Sequence, residues 1–428
     1  MKMTTFIAAL SLIIMGTPLY ARHNMDLVKA NYYYEHLAFQ KALPYYEKLA
    51  QENGNTQIFY RLADCYRLTG NVPSAAEYYK KVLDMPAYGD VVMLRYALML
   101  MQLTQYEEAE KWLKLYQSRN LNDTRVANLI SGCRTAPSML KAPHNAPVLL
   151  EFNTDRAEFG PTLWNGNLVF TSDTTTVPSK KKSKWTGGAC YSIFSVAADD
   201  NGNCGTDRKS IGAAKNIDIR WHSGPCTFNA LGDTMYFTRT KYNEKFFTRG
   251  SVANRDSIAV LETMIATDFD ETDQKFTKAY PFTFNNQSYS VSHPTISPNG
   301  KMLVFSANAH GGSDLYICPR NKNGKWNRPE SLGKAINTEG EEVFPWFAND
   351  TTLVFASDGL PGLGGLDVYI ARWDKETKNF VAPVNAGVPV NSPYDDISMA
   401  LRPDGTSGYF SSNRPAEKGG DNVYYFKK

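Results

Sequence analysis

The sequence predicts an α+β, multidomain chain in which an N-terminal α-helical repeat solenoid precedes an all-β propeller of five blades. Three observations predict it. Residues 26–118 repeat with a period of about 34 and carry apolar residues at helical spacing. After residue 147 that spacing gives way to short alternating runs, and five of these align with one another. The 428 residues include 25 Tyr, 22 Phe and 7 Trp between 30 Gly and 22 Pro, a content that suits strands separated by frequent turns. With 43% hydrophobic residues the chain can build real cores, so wholesale disorder is excluded. Lys plus Arg number 46 against 43 Asp plus Glu, a balance that gives no broad basic field and argues against nucleic acid as a partner.

The chain opens on a segment that reads as a secretory signal peptide, residues 1–21. Lys2 supplies the positive start, Phe6 to Met15 is an apolar run too short to span a bilayer, and Ala21 offers a small residue at the cut. No later run is long enough to be a transmembrane helix, which predicts a periplasmic location without a membrane span. The six cysteines, Cys65, Cys133, Cys190, Cys204, Cys226 and Cys318, are scattered without a C-x-x-C pair. Most of them are expected to be isolated buried thiols, and none a zinc ligand.

Residues 22–140 form the predicted helical domain. Ala30, Ala63 and Ala97 fall in register, as do Tyr33, Tyr66 and Leu100, then Ala42, Ala75 and Ala109, then Tyr46, Tyr79 and Leu113. Small residues let paired helices approach, and large ones fill the groove between pairs. Asp123 to Arg134 reads as a further helix capping the stack. The pattern resembles three tetratricopeptide repeats, which implies a surface for a peptide or partner segment. The run Tyr32-Tyr33-Tyr34 belongs either to that surface or to the packing between helices.

Residues 141–147 read as a linker, and 148–428 as the propeller. The five aligned segments start at Asn153, Asn216, Asn285, Asn337 and Asn391. Each reaches an aromatic strand 17 to 21 residues later, at Phe170, Phe237, Phe305, Phe355 and Phe410. Four carry a proline at one place, Pro161, Pro225, Pro294 and Pro345, where the fifth has Met399. Tight turns such as Ser297-Pro298-Asn299-Gly300 join the first two strands. Three units continue through paired glycines into a third strand, at Gly311-Gly312, Gly364-Gly365 and Gly419-Gly420, each followed by an acid expected to accept backbone N–H bonds. The last unit lacks an outer strand, and Val148 to Thr154 precedes the first unit. That segment is therefore expected to complete the last blade and close the ring. A sixth blade would have to lie hidden in residues 240–280.

The runs "SPNGKMLVFSAN…GGSDLYI" and "NDTTLVFASD…GGLDVYI" resemble the WD-like, TolB-type propeller repeats of envelope proteins. Joined to tetratricopeptide repeats, they are similar to the front part of the PorE-type proteins associated with type IX secretion. Members of that group often continue into an OmpA-like peptidoglycan-binding domain; this sequence ends at Lys428 directly after the last blade, so wall anchoring is not carried over. The resemblance implies a periplasmic scaffold or adaptor with peripheral outer-membrane association. Its partners would be envelope proteins or peptides, held on the helical face and the propeller surface.

No G-x-S-x-G, H-E-x-x-H or phosphate-loop motif occurs, and no acidic loop has calcium-binding spacing. The expectation is a protein without enzymatic activity, metal or cofactor. One constellation follows from the alignment. Three residues before the shared proline position stand Glu158, His222, Val291, Glu342 and Asp396. Equivalent positions at the start of the innermost strands ring the channel mouth. Glu158, His222, Glu342 and Asp396 are therefore the candidate binding residues. Two readings stand side by side: an electronegative funnel for a cation, a glycan or a basic peptide, or acids that cap backbone N–H groups of the blades. Trp164, Trp221 and Trp346 lie near these strands.

Overall fold

The structure is a computed structural model that describes residues 25–173, 188–213, 222–242 and 259–427. The signal-like segment, the basic cluster at Lys180 to Lys184, Asn216 and Trp221 lie outside the described residues.

Seven helices are described: α1 over 25–35, α2 (Phe39–Asn53), α3 (Thr56–Leu68), α4 (Val72–Leu83), α5 (Val91–Gln102), α6 (Tyr106–Arg119) and α7 (Arg125–Leu140). Their starts are written locally. The Asn55 side chain accepts the Ile58 N–H at 3.0 Å, and the Asn71 side chain accepts that of Ser74 at 3.2 Å. The six repeat alanines, Ala30, Ala42, Ala63, Ala75, Ala97 and Ala109, are all fully buried, as are Tyr46, Tyr79 and Leu113. The repeat register is thus the packing register of the helix pairs.

Helices α1 to α6 make one compact unit; α7 and all the strands make the other. The helix read from sequence as a cap of the stack thus clusters with the propeller. Asn128 on α7 donates to the Gly359 carbonyl at 2.8 Å. Gly132 sits so close to Gly362 that a Cβ there would lie 2.7 Å from its carbonyl oxygen. Val126, Leu129, Ile130, Cys133 and Ala136 are buried along this helix.

Five antiparallel sheets form the blades. Their innermost strands are Glu158–Trp164, Ser223–Phe228, Val291–Ile296, Glu342–Asn349 and Asp396–Leu401. Each packs on the next and the fifth on the first, so the ring is closed. Closure is covalently staggered as expected: Val148 and Leu149 pair with Tyr425 and Tyr424 as the outer strand of the last blade. The strands Ala259–Asp270 and Lys275–Pro281 belong to the second blade, which also takes up Gly212–Ala213 as a fifth, parallel strand. Phe170, Phe237, Phe305, Phe355 and Phe410, one per second strand, are all buried. None of the six cysteines forms a disulfide, and four of them are buried.

Among the described residues, four of the asparagines that open the repeats share one task. Asn337 accepts the Leu315 N–H at 2.8 Å and donates to the Leu315 carbonyl at 3.0 Å. Asn285 pairs in the same way with Thr263, Asn391 with Val368, and Asn153 with Val423. Each amide therefore bonds both backbone groups of one residue in the third strand of the blade before it.

Candidate functional site

The structure puts Glu158, Glu342 and Asp396 at the first position of their innermost strands, with Val291 in the same place and His222 just before the strand of the second blade. All three acids are fully buried. Their partners repeat from blade to blade. Glu158 accepts from the Thr154 N–H (3.0 Å) and hydroxyl (2.8 Å) and from Ser172 (2.9 Å). Glu342 accepts from the Thr338 N–H and hydroxyl (both 2.8 Å) and from Ser357 (2.6 Å). Asp396 accepts from the Ser392 N–H (2.6 Å) and hydroxyl (2.9 Å).

Cations complete two of these nests. Arg208 reaches Glu158 at 2.9 Å, and Arg414 reaches Asp396 at 2.6 Å with its guanidinium over the Phe410 ring. Glu342 has neither, and burial pushes its carboxyl up to about 7. Burial also outweighs Arg414 at Asp396 and raises it to about 6. At the second blade His222 accepts the Tyr191 N–H at 3.1 Å, and burial lowers its pKa. The bonds seen at the three acids run to protein donors near the start of their own strands, whereas His222 ties the start of the second blade to Tyr191 of the first.

A different set of carboxylates stands at the same end of the channel. Asp421 is half-buried, and burial together with the charges of Asp395, Asp173 and Glu158 pushes it up to about 7. Asp173 accepts the Ala157 N–H, and Asp395 that of Leu366. Asp395 and Asp421 adjoin the positions singled out in the sequence, and an alignment of inner strands alone passes over Asp421 and Asp173. Among the described residues no group of three His, Cys, Asp or Glu is placed to hold a metal ion.

Just inside the mouth every inner strand carries a register irregularity. Its residue before the proline has positive φ in four blades: Gly160 (67°), Gly224 (114°), His293 (51°) and Phe344 (51°). For His293 and Phe344 this is a strained backbone. Their rings stack at 4.0 Å, and the His293 N–H is held by the Thr238 hydroxyl at 2.8 Å. Burial lowers the His293 imidazole to about 4, so it is neutral near pH 7.

The helical unit presents a second built surface. Arg61 and Arg95 stand one repeat apart, on α3 and α5. Arg61 lies over the Tyr34 ring (5.0 Å) and bonds Asn31 at 2.7 Å; Arg95 lies over the Tyr60 ring (5.3 Å). Beneath them Asp64, 2% exposed, accepts from Tyr34 (2.7 Å), Arg95 (2.6 Å) and Tyr79. Of the tyrosine run, Tyr32 is exposed, Tyr33 stacks on Tyr45 between helices and Tyr34 joins the Asp64 network.

No protein-family model and no curated protein matches the sequence. Solved structures resemble its parts. Yeast Tom70 is 20% identical over 28% of this chain and 25% of its own, with a TM-score of 0.26. TolB from Acinetobacter baumannii is 13% identical over 61% of this chain and 53% of its own, with a TM-score of 0.33. A thermostable family-43 glycoside hydrolase is 9% identical over 63% of this chain and 88% of its own, with a TM-score of 0.41. The chain thus spans a quarter of Tom70 and about half of TolB, and at these identities the likeness concerns fold alone. The expectation that the chain is not an enzyme is corrected by this finding. Hydrolases stand among the structures with this kind of fold, so a missing catalytic motif does not make the chain non-enzymatic.

Proposed function

We propose that the chain is a protein-interaction scaffold of the periplasm, associated peripherally with the outer membrane and serving an envelope complex such as a secretion system. The observation that carries this reading is the repeated Tyr–Arg surface on α1, α3 and α5, held rigid from beneath by Asp64. Arginine and tyrosine are the residues that anchor partner segments at interfaces, and a packed helical repeat presents them in a fixed array. The periplasmic placement is supported by the apolar run after Lys2 and by the resemblance of the repeats. Among the described residues no helix is long and apolar enough to cross a membrane.

The test is affinity purification of the full chain from crosslinked envelope fractions. Partners should be captured by the native chain and by Glu342→Gln, and lost with Arg61→Ala combined with Tyr60→Ala. Equal capture by the helical variant, with its helicity intact, would refute the reading.

A further inference from the structure

At the end of the channel away from the acids, the inner strands of the first four blades line a half-open chamber of about 230 Å³. Its lining has three properties. First, it holds unused polar groups. Thr162 and Thr227 are only 4% and 5% exposed, yet neither hydroxyl has a hydrogen-bond partner among the described residues. The half-buried Trp346 indole N–H and the amide of Asn165, an exposed residue at the rim, are likewise without one among the described residues. None of these four polar groups is sealed from solvent, so each can be reached from the chamber and still has its hydrogen-bonding capacity to offer. Second, the chamber has flat apolar walls. Trp346 is half-buried against it, and Trp164 and Phe228 stack at 4.8 Å, with the Trp164 N–H fixed on the Gly232 carbonyl at 3.0 Å. Third, among the described residues no Asp, Glu, Lys or Arg lines it.

These properties select a ligand class. An ion would meet no opposite charge. A purely apolar group would leave the hydroxyls of Thr162 and Thr227 unanswered. A neutral ring with hydroxyls on its edge and C–H groups on its face answers both, and the volume suits one such ring rather than a larger ligand. We propose that this chamber binds a single neutral sugar residue, with its apolar face on the Trp346 indole and its hydroxyls on Thr162, Thr227 and Asn165. The site lies away from Glu158, His222, Glu342 and Asp396 and does not depend on the scaffold reading.

The experiment is calorimetric titration of the full-length folded chain with glucose, galactose and N-acetylglucosamine in turn, with glucuronate as the charged control. At least one neutral sugar should bind saturably and more tightly than glucuronate. Thr162→Val keeps the shape and removes one hydroxyl, and Trp346→Phe keeps a ring and removes the indole N–H. Each should weaken binding by about tenfold while melting temperature and circular dichroism stay near native. No saturable heat with any of the three sugars, as for a chamber holding water only, would overturn the proposal. Binding unchanged in both variants would do so as well.

Discussion

Glu342 shows what a buried carboxyl does with no cation paired to it among the described residues. Its oxygens accept three hydrogen bonds, yet burial still raises it to about 7, while Asp396 reaches about 6 and Asp421 about 7. A carboxyl with a raised folded pKa holds its proton more tightly in the folded chain than in the unfolded one. Its contribution to stability is therefore complete below about pH 4 and is lost as the pH rises through 6 to 7. The melting temperature should accordingly fall between pH 5 and pH 8. Glu342→Gln should flatten that slope, raising stability at pH 8 by on the order of 2 kcal/mol and changing little at pH 5. A pH series of thermal melts measures this, and a variant slope as steep as the native one would contradict it. The acids were legible from the alignment, and so was the choice between funnel and cap. The partners seen at these acids were also in the sequence: a Thr or Ser stands four residues before each acid, at Thr154, Thr338 and Ser392. What could not be read there is burial, which depends on how neighbouring blades close over the strand start.

Among the elements, α7 is the one that the sequence reading placed as a cap of the helical stack and that clusters with the propeller instead. Its apolar spacing marks a helix, but a helix in register with a stack and one docked on a loop of the propeller bury the same residue types. Gly132 carries the difference, because only a residue without Cβ fits against Gly362. Ala in a helix is favoured over Gly by about 1 kcal/mol, whereas forcing an atom against backbone at this distance costs about 1–3 kcal/mol. Gly132→Ala should therefore lower stability and speed amide exchange across 125–140. Gly70→Ala is unsuitable as a control because its φ is 82°; Ser131→Ala, one residue away and exposed, is the better one. Slower exchange in Gly132→Ala would show that the contact is not tight. The irregularities of the inner strands belong to this scale too. Prolines at one place in four repeats pointed to a shared local geometry, but the stack of His293 on Phe344 joins adjacent blades and needs the closed ring to exist.

The whole propeller depends on a joint that is not continuous along the chain. Val148 and Leu149 complete the last blade with only two residues, and Asn153 ties the same place by its bonds to Val423. Asn337 makes equivalent bonds to Leu315 inside the ring, where the chain itself holds the blades together. Asn153→Ala and Asn337→Ala remove the same local interactions, about 1–3 kcal/mol each. The first should cost more, and it alone should raise amide exchange in both 148–152 and 422–427. Equal losses in urea unfolding would mean that the joint is no weaker than the interior.

Local pattern determined the order of helices and strands, the number of blades and the joining of the ends. Alanines in register dictate close helix pairs, and a strand left over at the front fits a blade lacking one at the back. These are properties of residues near one another in sequence, or of a repeat that copies itself. Tertiary structure alone decided which polar groups are paired and which are left bare. Glu158, Glu342 and Asp396 find partners within their own blades, whereas Thr162 and Thr227 face a chamber that exists only because four inner strands end around one axis. Pairing is a matter of distance in space, and a closed ring brings together groups from segments that are tens to hundreds of residues apart.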